Sequence, residues 1–338
     1  MKKFRFKHLF FIIFSFAVTA YLWVSYNQKI ESIYFVPVHF SVFPDRPIVT
    51  IELENKSYSF LVDIGMSNDL GVQQTVLDQT KDKIFVENGK IMNGKGDVYT
   101  IRKFLIPSIK MQNLMSANLV AQEENINVTS HAGLLWTNST SDQRIEKNLS
   151  CIHGKVGRSF FSRWACRFDF PHSSMALAKN IDDLARNYPL QHFIKLPFFL
   201  NECGIIVSLQ TDIGVRRFLM DTGATASLFR ASQVEKQYAE EMYPEQWKFT
   251  SSKLQSKEHD FGQWPFWLYE FCDEAQFDGV LGIDFFKSHV VVFDFENKFV
   301  YIRSEPRNLK SYCLQWLEWV FTLQQGGTSS KACLCITP

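Results

Sequence analysis

The chain has 338 residues, a length that suits about two folded domains. With 46% hydrophobic and 21% charged residues it is not a disordered chain, and 16 Gly with 11 Pro exclude a collagen-like or linker-dominated one. Lys and Arg number 36 against 35 Asp and Glu, and a net charge of +1 offers no broad electrostatic footprint for nucleic acid.

Residues 1–27 read as a signal anchor. Lys2, Lys3, Arg5 and Lys7 precede an uncharged run from Leu9 to Tyr26, short for a membrane helix that needs roughly 17–25 residues. The basic flank stays in the cytoplasm, which places everything after it on the extracytoplasmic side, whether periplasmic, lumenal or extracellular. A cleaved signal peptide ending at Val18-Thr19-Ala20 is the alternative. The bulky Tyr21-Leu22-Trp23-Val24 is an awkward mature N-terminus and favours the anchor.

The next segments repeat each other. Phe60-Leu61-Val62-Asp63-Ile64-Gly65 aligns with Phe218-Leu219-Met220-Asp221-Thr222-Gly223, and at the same offset Ile48-Val49 meets Ile206-Val207. Downstream, at a shorter offset, Gly154–Phe161 aligns with Gly279–Phe286 and Phe168-Asp169-Phe170 with Phe293-Asp294-Phe295. Two matched blocks in one order mark an internal duplication. The first copy is longer in its middle, around the polar stretch Gln122–Asn148, which holds sequons at Asn127, Asn138 and Asn148. Short apolar alternations at Ile48–Phe60 and Ile206–Phe218, broken at Glu54-Asn55-Lys56 and Asp212-Ile213-Gly214, predict strands joined by tight turns. Ile101–Ala121 and Val290–Ile302 predict further strands, and Ile181–Asn187 and Ala231–Gln237 short helices. The expected fold is mainly β, with an N-terminal lobe over 28–183, a C-terminal lobe over 184–303, a core in each, and a pseudo-twofold axis between them. Residues 304–338 are expected to form a helical extension, with Asn308–Gln325 ending at Gly326-Gly327. That helix packs on the second lobe or, alternatively, meets a membrane surface or partner.

In each copy an apolar strand delivers an Asp into a turn closed by Gly. One such turn only caps a loop; two at equivalent places bring Asp63 and Asp221 together across the axis. Two carboxyls that close share a proton, and one then activates water while the other polarises a carbonyl. Seven cysteines, Cys151, Cys166, Cys203, Cys272, Cys313, Cys333 and Cys335, form no CxxC pair, and the odd number leaves at least one thiol over. The eight His form no metal-ligand spacing, so neither metal nor cofactor enters the reading. No GxSxG or Cys/His signature supports a nucleophilic hydrolase.

Phe218–Phe229, FLMDTGATASLF, resembles the active-site segment of the retropepsin-like aspartic proteases, and Gly279–Phe286, GVLGIDFF, resembles their apolar-apolar-Gly segment. Leu105–Met111 is similar to the stretch that follows their flap. Both lobes on one chain resemble pepsin in plan. The resemblance implies two β-barrel lobes, a monomer, a peptide or protein substrate, and endopeptidase activity. It makes Asp63 and Asp221 catalytic, with Gly65, Thr222, Gly223 and Ala224 in their loops and Gly157 and Gly282 behind them. Gly94 and Gly96 become the flap tip, with Tyr99 beside it as a substrate contact or a packed aromatic.

The first copy departs from this pattern. Ile64 stands where the family has Thr or Ser, Met66 where a small residue is usual, and Lys155 where the second copy has Val280. A reciprocal pair of hydroxyl bonds beneath the dyad is therefore excluded. The alternative is a duplicated binding or scaffolding protein that kept the fold and lost the reaction.

Overall fold

The computed structural model describes residues 18–19, 33–41, 46–92, 98–124, 152–257 and 259–305. The first lobe is an eight-stranded sheet of β2 (His39–Phe40), β3 (Pro47–Leu53), β4 (Lys56–Asp63), β5 (Leu70–Gln73), β6 (Ile84–Met92), β7 (Val98–Met111), β8 (Leu114–Glu124) and β9 (Gly154–Gly157). Its spatial order is β2-β3-β4-β9-β5-β8-β7-β6. The second lobe uses β13 (Phe199–Leu200), β14 (Ile205–Thr211), β15 (Gly214–Met220), β16 (Leu228–Arg230), β17 (Ala239–Tyr243), β18 (Gln246–Ser251), β19 (Trp264–Tyr269) and β20 (Gly279–Leu281), in the order β13-β14-β15-β20-β16-β19-β18-β17. Strand for strand the two orders are the same. The duplication in the sequence is a duplication of topology.

Local chemistry accounts for the strands. Along β3, Pro47, Val49, Ile51 and Leu53 are buried and the residues between them are not, the period-2 pattern of a sheet with one covered face. Glu54 and Asn55 both take positive φ, which makes a tight two-residue hairpin turn into β4. The equivalent turn in the second lobe closes between Thr211 and Gly214.

A six-stranded sheet joins the lobes: β1 (Ile33–Pro37), β10 (Ala165–Asp169), β11 (Ser174–Ala178), β12 (Ile194–Pro197), β21 (His289–Asp294) and β22 (Phe299–Ser304), ordered β1-β11-β10-β21-β22-β12. The order is palindromic about the antiparallel β10–β21 pair. Cys166 faces Phe293 and Phe168 faces Val291, so the local twofold runs between Arg167 and Val292. Phe168 also packs edge-on against Phe293 at 5.6 Å and Phe286 at 6.3 Å. The separate core expected in each lobe is thus corrected: one apolar cluster runs from Val49 and Phe60 through Phe168 to Phe229 and Phe293. Short lobes bury more apolar surface by sharing a sheet than by closing separately.

The helix expected at Ile181–Asn187 is present, capped by the Asn180 side chain, which accepts from the Asp183 N–H. Ala231–Gln237 is not one helix but two 3-10 turns, Ala231–Gln233 and Lys236–Tyr238. Gly94, Gly96, the sequons and the extension beyond residue 305 lie outside the described residues. Of residues 1–27 only Val18 and Thr19 are described, in helical conformation. The expected membrane helix therefore gains no support, and among the described residues no helix is long and apolar enough to cross a membrane.

Candidate active site

Asp63 is the last residue of β4, and Asp221 follows β15 directly. Each of these strands pairs in parallel with the glycine-ended strand of its own lobe, β4 with β9 and β15 with β20. Beyond that strand the chain crosses behind the Asp loop: Arg158 N–H donates to Met66 C=O, and Ile283 N–H donates to Ala224 C=O, both at 2.8 Å. Gly157 and Gly282 occupy the crossing, against the backbone of Met66 and Asn68 in one lobe and of Ala224 and Ala226 in the other. Asp63 and Asp221 meet across the axis. Gly65 lies flat against the Asp221 carboxyl and Gly223 against that of Asp63, so a methyl at either would collide with the opposite acid. Absence of a side chain at both positions is what permits the approach.

Thr222 is fully buried and binds the other loop from below. Its hydroxyl accepts from Ile64 N–H at 3.1 Å and donates to Val62 C=O at 2.8 Å. Ile64 has no hydroxyl to return these bonds and is packed in the apolar core instead. The grip between the loops is one-sided, as the sequence requires.

Asp221 Oδ1 accepts from Gly223 N–H at 2.8 Å, and Asp63 Oδ1 accepts from Met66 N–H at 3.1 Å. Burial pushes the Asp221 pKa up to about 7, and the negative charge of Asp63 and a hydrogen bond between the two carboxyls act the same way. The Gly223 N–H and the Lys155 charge oppose the rise. The raised value favours the protonated form of Asp221 below about pH 7.

Sequence reasoning noted Lys155 as an intrusion and missed what surrounds it. Lys155 Nζ sits 3.3 Å from Asp63 Oδ2 and 2.9 Å from Glu124 Oε1. Burial alone would lower the Lys155 pKa, but the charges of Glu124 and Asp63 outweigh it and raise it. Arg46 and Arg158 are also buried nearby, both lowered by burial and opposed by the two Asp charges. Arg46 Nε is buried with no hydrogen-bond partner among the described residues. No motif announces these cations, because Arg46 lies more than a hundred residues before the segment that carries Lys155 and Arg158. β6 and β7 form an antiparallel pair in which Tyr99, half-buried, is paired to Ile91, while the expected flap tip at Gly94 and Gly96 lies outside the described residues. Among the described residues no cluster of His, Cys, Asp or Glu is arranged to hold a metal ion.

No family profile and no curated protein matches the sequence. Solved structures do match. An aspartic proteinase from Irpex lacteus superposes with a TM-score of 0.53 at 11% identity, over 80% of this chain and 97% of the other. Conglutin gamma, a basic 7S globulin from lupine seeds, superposes with a TM-score of 0.52 at 12% identity, over 83% and 96%. The chain has the fold of the pepsin-like aspartic proteases. One of these neighbours is a proteinase and the other a seed globulin, so activity must be argued from the site.

Proposed function

We propose that the protein is an aspartic endopeptidase, tethered to a membrane by residues 1–27 with its lobes on the extracytoplasmic side. One observation carries the activity. Two carboxyls face each other across the local twofold, each against the other's glycine, and burial raises the pKa of Asp221. Asp63, as carboxylate, takes a proton from a water held between the acids. The water oxygen bonds to the peptide carbonyl carbon while Asp221 gives its proton to the carbonyl oxygen. Asp63 then passes its proton to the amide nitrogen, a hydroxyl of the gem-diol returns one to Asp221, and the C–N bond breaks to an acid and an amine. The uncharged run behind a basic flank supports the tether.

A second reading, peptide binding without hydrolysis, is favoured by the Lys155–Asp63 ion pair, since a paired carboxylate is a weaker base. The full-length protein in detergent, incubated with a library of unfolded peptides between about pH 3 and 8, separates the two. Cleavage blocked by a pepstatin-like transition-state mimic is the expected result. Binding of the mimic by folded protein with no turnover at any pH would instead establish the second reading.

A further inference from the structure

The two lobes differ at three positions that touch one another. On the strand behind the dyad, Leu61 pairs with Lys155 in the first lobe as Leu219 pairs with Val280 in the second. Across the neighbouring ladder, Gly71 pairs with Lys155 as Leu228 pairs with Val280. One strand further, Gln73 pairs with Glu124 as Arg230 pairs with Tyr269. The second lobe thus has Val280, Leu228 and Tyr269 in one apolar cluster. The first has Lys155, Gly71 and Glu124 at the same three places.

These exchanges are coordinated. A Cβ at residue 71 would collide with the Glu124 carboxylate, so Gly71 makes the room that Glu124 occupies. Glu124 is 4% exposed and gives Lys155 a second buried counter-charge beside Asp63. Gln122 Nε2 donates to Glu124 Oε2 at 3.4 Å, and Asn68 bonds Gln122 in turn. The chain of polar contacts therefore ends on Asp63 Oδ2, the oxygen that Met66 N–H does not reach.

Resting on the endopeptidase reading, we propose that Lys155, oriented by Glu124, is a positioning residue that holds Asp63 as the ionised base of the dyad, in a loop that lacks the hydroxyl at residue 64. The other charges facing Asp63 are Asp221 across the axis and the guanidinium groups of Arg46 and Arg158. Only Lys155 forms an ion pair with Asp63 among the described residues. The roles of the two acids are then fixed by their surroundings.

The test is the acid limb of the kcat/KM profile of the full-length protein. Lys155→Met should move that limb to higher pH by about one unit or more, because the base has lost its counter-charge. Glu124→Gln should move it the other way, since Lys155 then serves Asp63 alone. If Lys155→Met fails to fold because Glu124 has lost its counter-charge, the double variant Lys155→Met with Glu124→Gln removes that second buried charge, leaves only Asp63 without its cation, and should keep the upward shift. A limb unmoved in the folded single or double variant would overturn the proposal, because a purely structural lysine changes stability and not the profile. A wild-type protein without turnover would overturn only the endopeptidase reading. The Asp63 carboxyl signal, followed by carbon NMR and assigned through Asp63→Asn, should still titrate at higher pH in Lys155→Met than in the wild type. An unchanged titration overturns the inference there as well.

Discussion

In the second lobe Asp221 is followed by Thr222 and Gly223, and the layer behind it is apolar, with Val280, Leu228 and Tyr269 packed together. In the first lobe Asp63 is followed by Ile64 and Gly65, and the layer behind it is an ion pair. Backbone geometry is shared: each loop is crossed by the chain that leaves its own β9 or β20 strand, and each loop glycine receives the opposite acid. What differs is how the carboxyl is held. Each carboxyl accepts a local N–H bond, Asp221 from Gly223 and Asp63 from Met66, but burial raises the Asp221 pKa whereas Asp63 is paired with a buried cation. A duplicated fold preserves the constraints that both copies need for pairing, and leaves each copy free to solve its own electrostatics.

The largest expected effect treats the acids as equals. Asp63→Asn and Asp221→Asn should each cut kcat by about a thousandfold or more without unfolding the protein, since Asn keeps the shape and removes the ionisation. Peptide-cleavage kinetics with a circular-dichroism control measure this. Loss in Asp221→Asn alone would mean an active unit built from two second lobes, and the comparison of the lobes as partners would break.

Next comes the one-sided grip. Thr222→Val keeps the volume but leaves Ile64 N–H and Val62 C=O buried without their partner. A loss of about 1–3 kcal/mol is expected by denaturant titration. No residue in the first loop can produce a matching loss by the same route.

A pH experiment sharpens the assignment of the proton. Asp221 binds its proton more tightly folded than unfolded, so its stabilising contribution is complete below the ordinary value of 3.8 and is lost as pH rises toward about 7. Asp221→Asn cannot ionise. Its melting temperature should therefore exceed the wild-type value by several degrees at about pH 8 and differ little at about pH 3.

The smallest effect is expected at Ile64→Thr. Read from the sequence, a restored hydroxyl should strengthen the grip. Ile64 is fully buried in the main core, however, so the substitution also removes packed carbon and buries a hydroxyl. A net destabilisation within about 1 kcal/mol is expected by denaturant titration.

The duplication, the two Asp-x-Gly turns and the lobe plan were legible because each is local. Alternation marks β3 and β14, turn residues mark the hairpin after Leu53, and a repeat of six residues around each Asp is visible without coordinates. The shared six-stranded sheet was not legible, since the pairing of β10 with β21 joins segments far apart in the chain and neither copy shows the partner it lacks. The short helix expected at Ala231–Gln237 failed for a related reason. Apolar spacing there is too brief to outweigh the strands β16 and β17 that flank it.

By itself the sequence determined that two related β lobes would each deliver an acid into a glycine turn, and that the first loop would lack a hydroxyl. Periodicity and identity are properties of neighbouring residues and need no tertiary contact to be read. Only the tertiary structure decided that Lys155 would stand between Asp63 and Glu124, with Gly71 making room, and that burial would raise the Asp221 pKa. Those outcomes depend on which charges are buried side by side, and burial is set by strands that the chain brings together from distant positions.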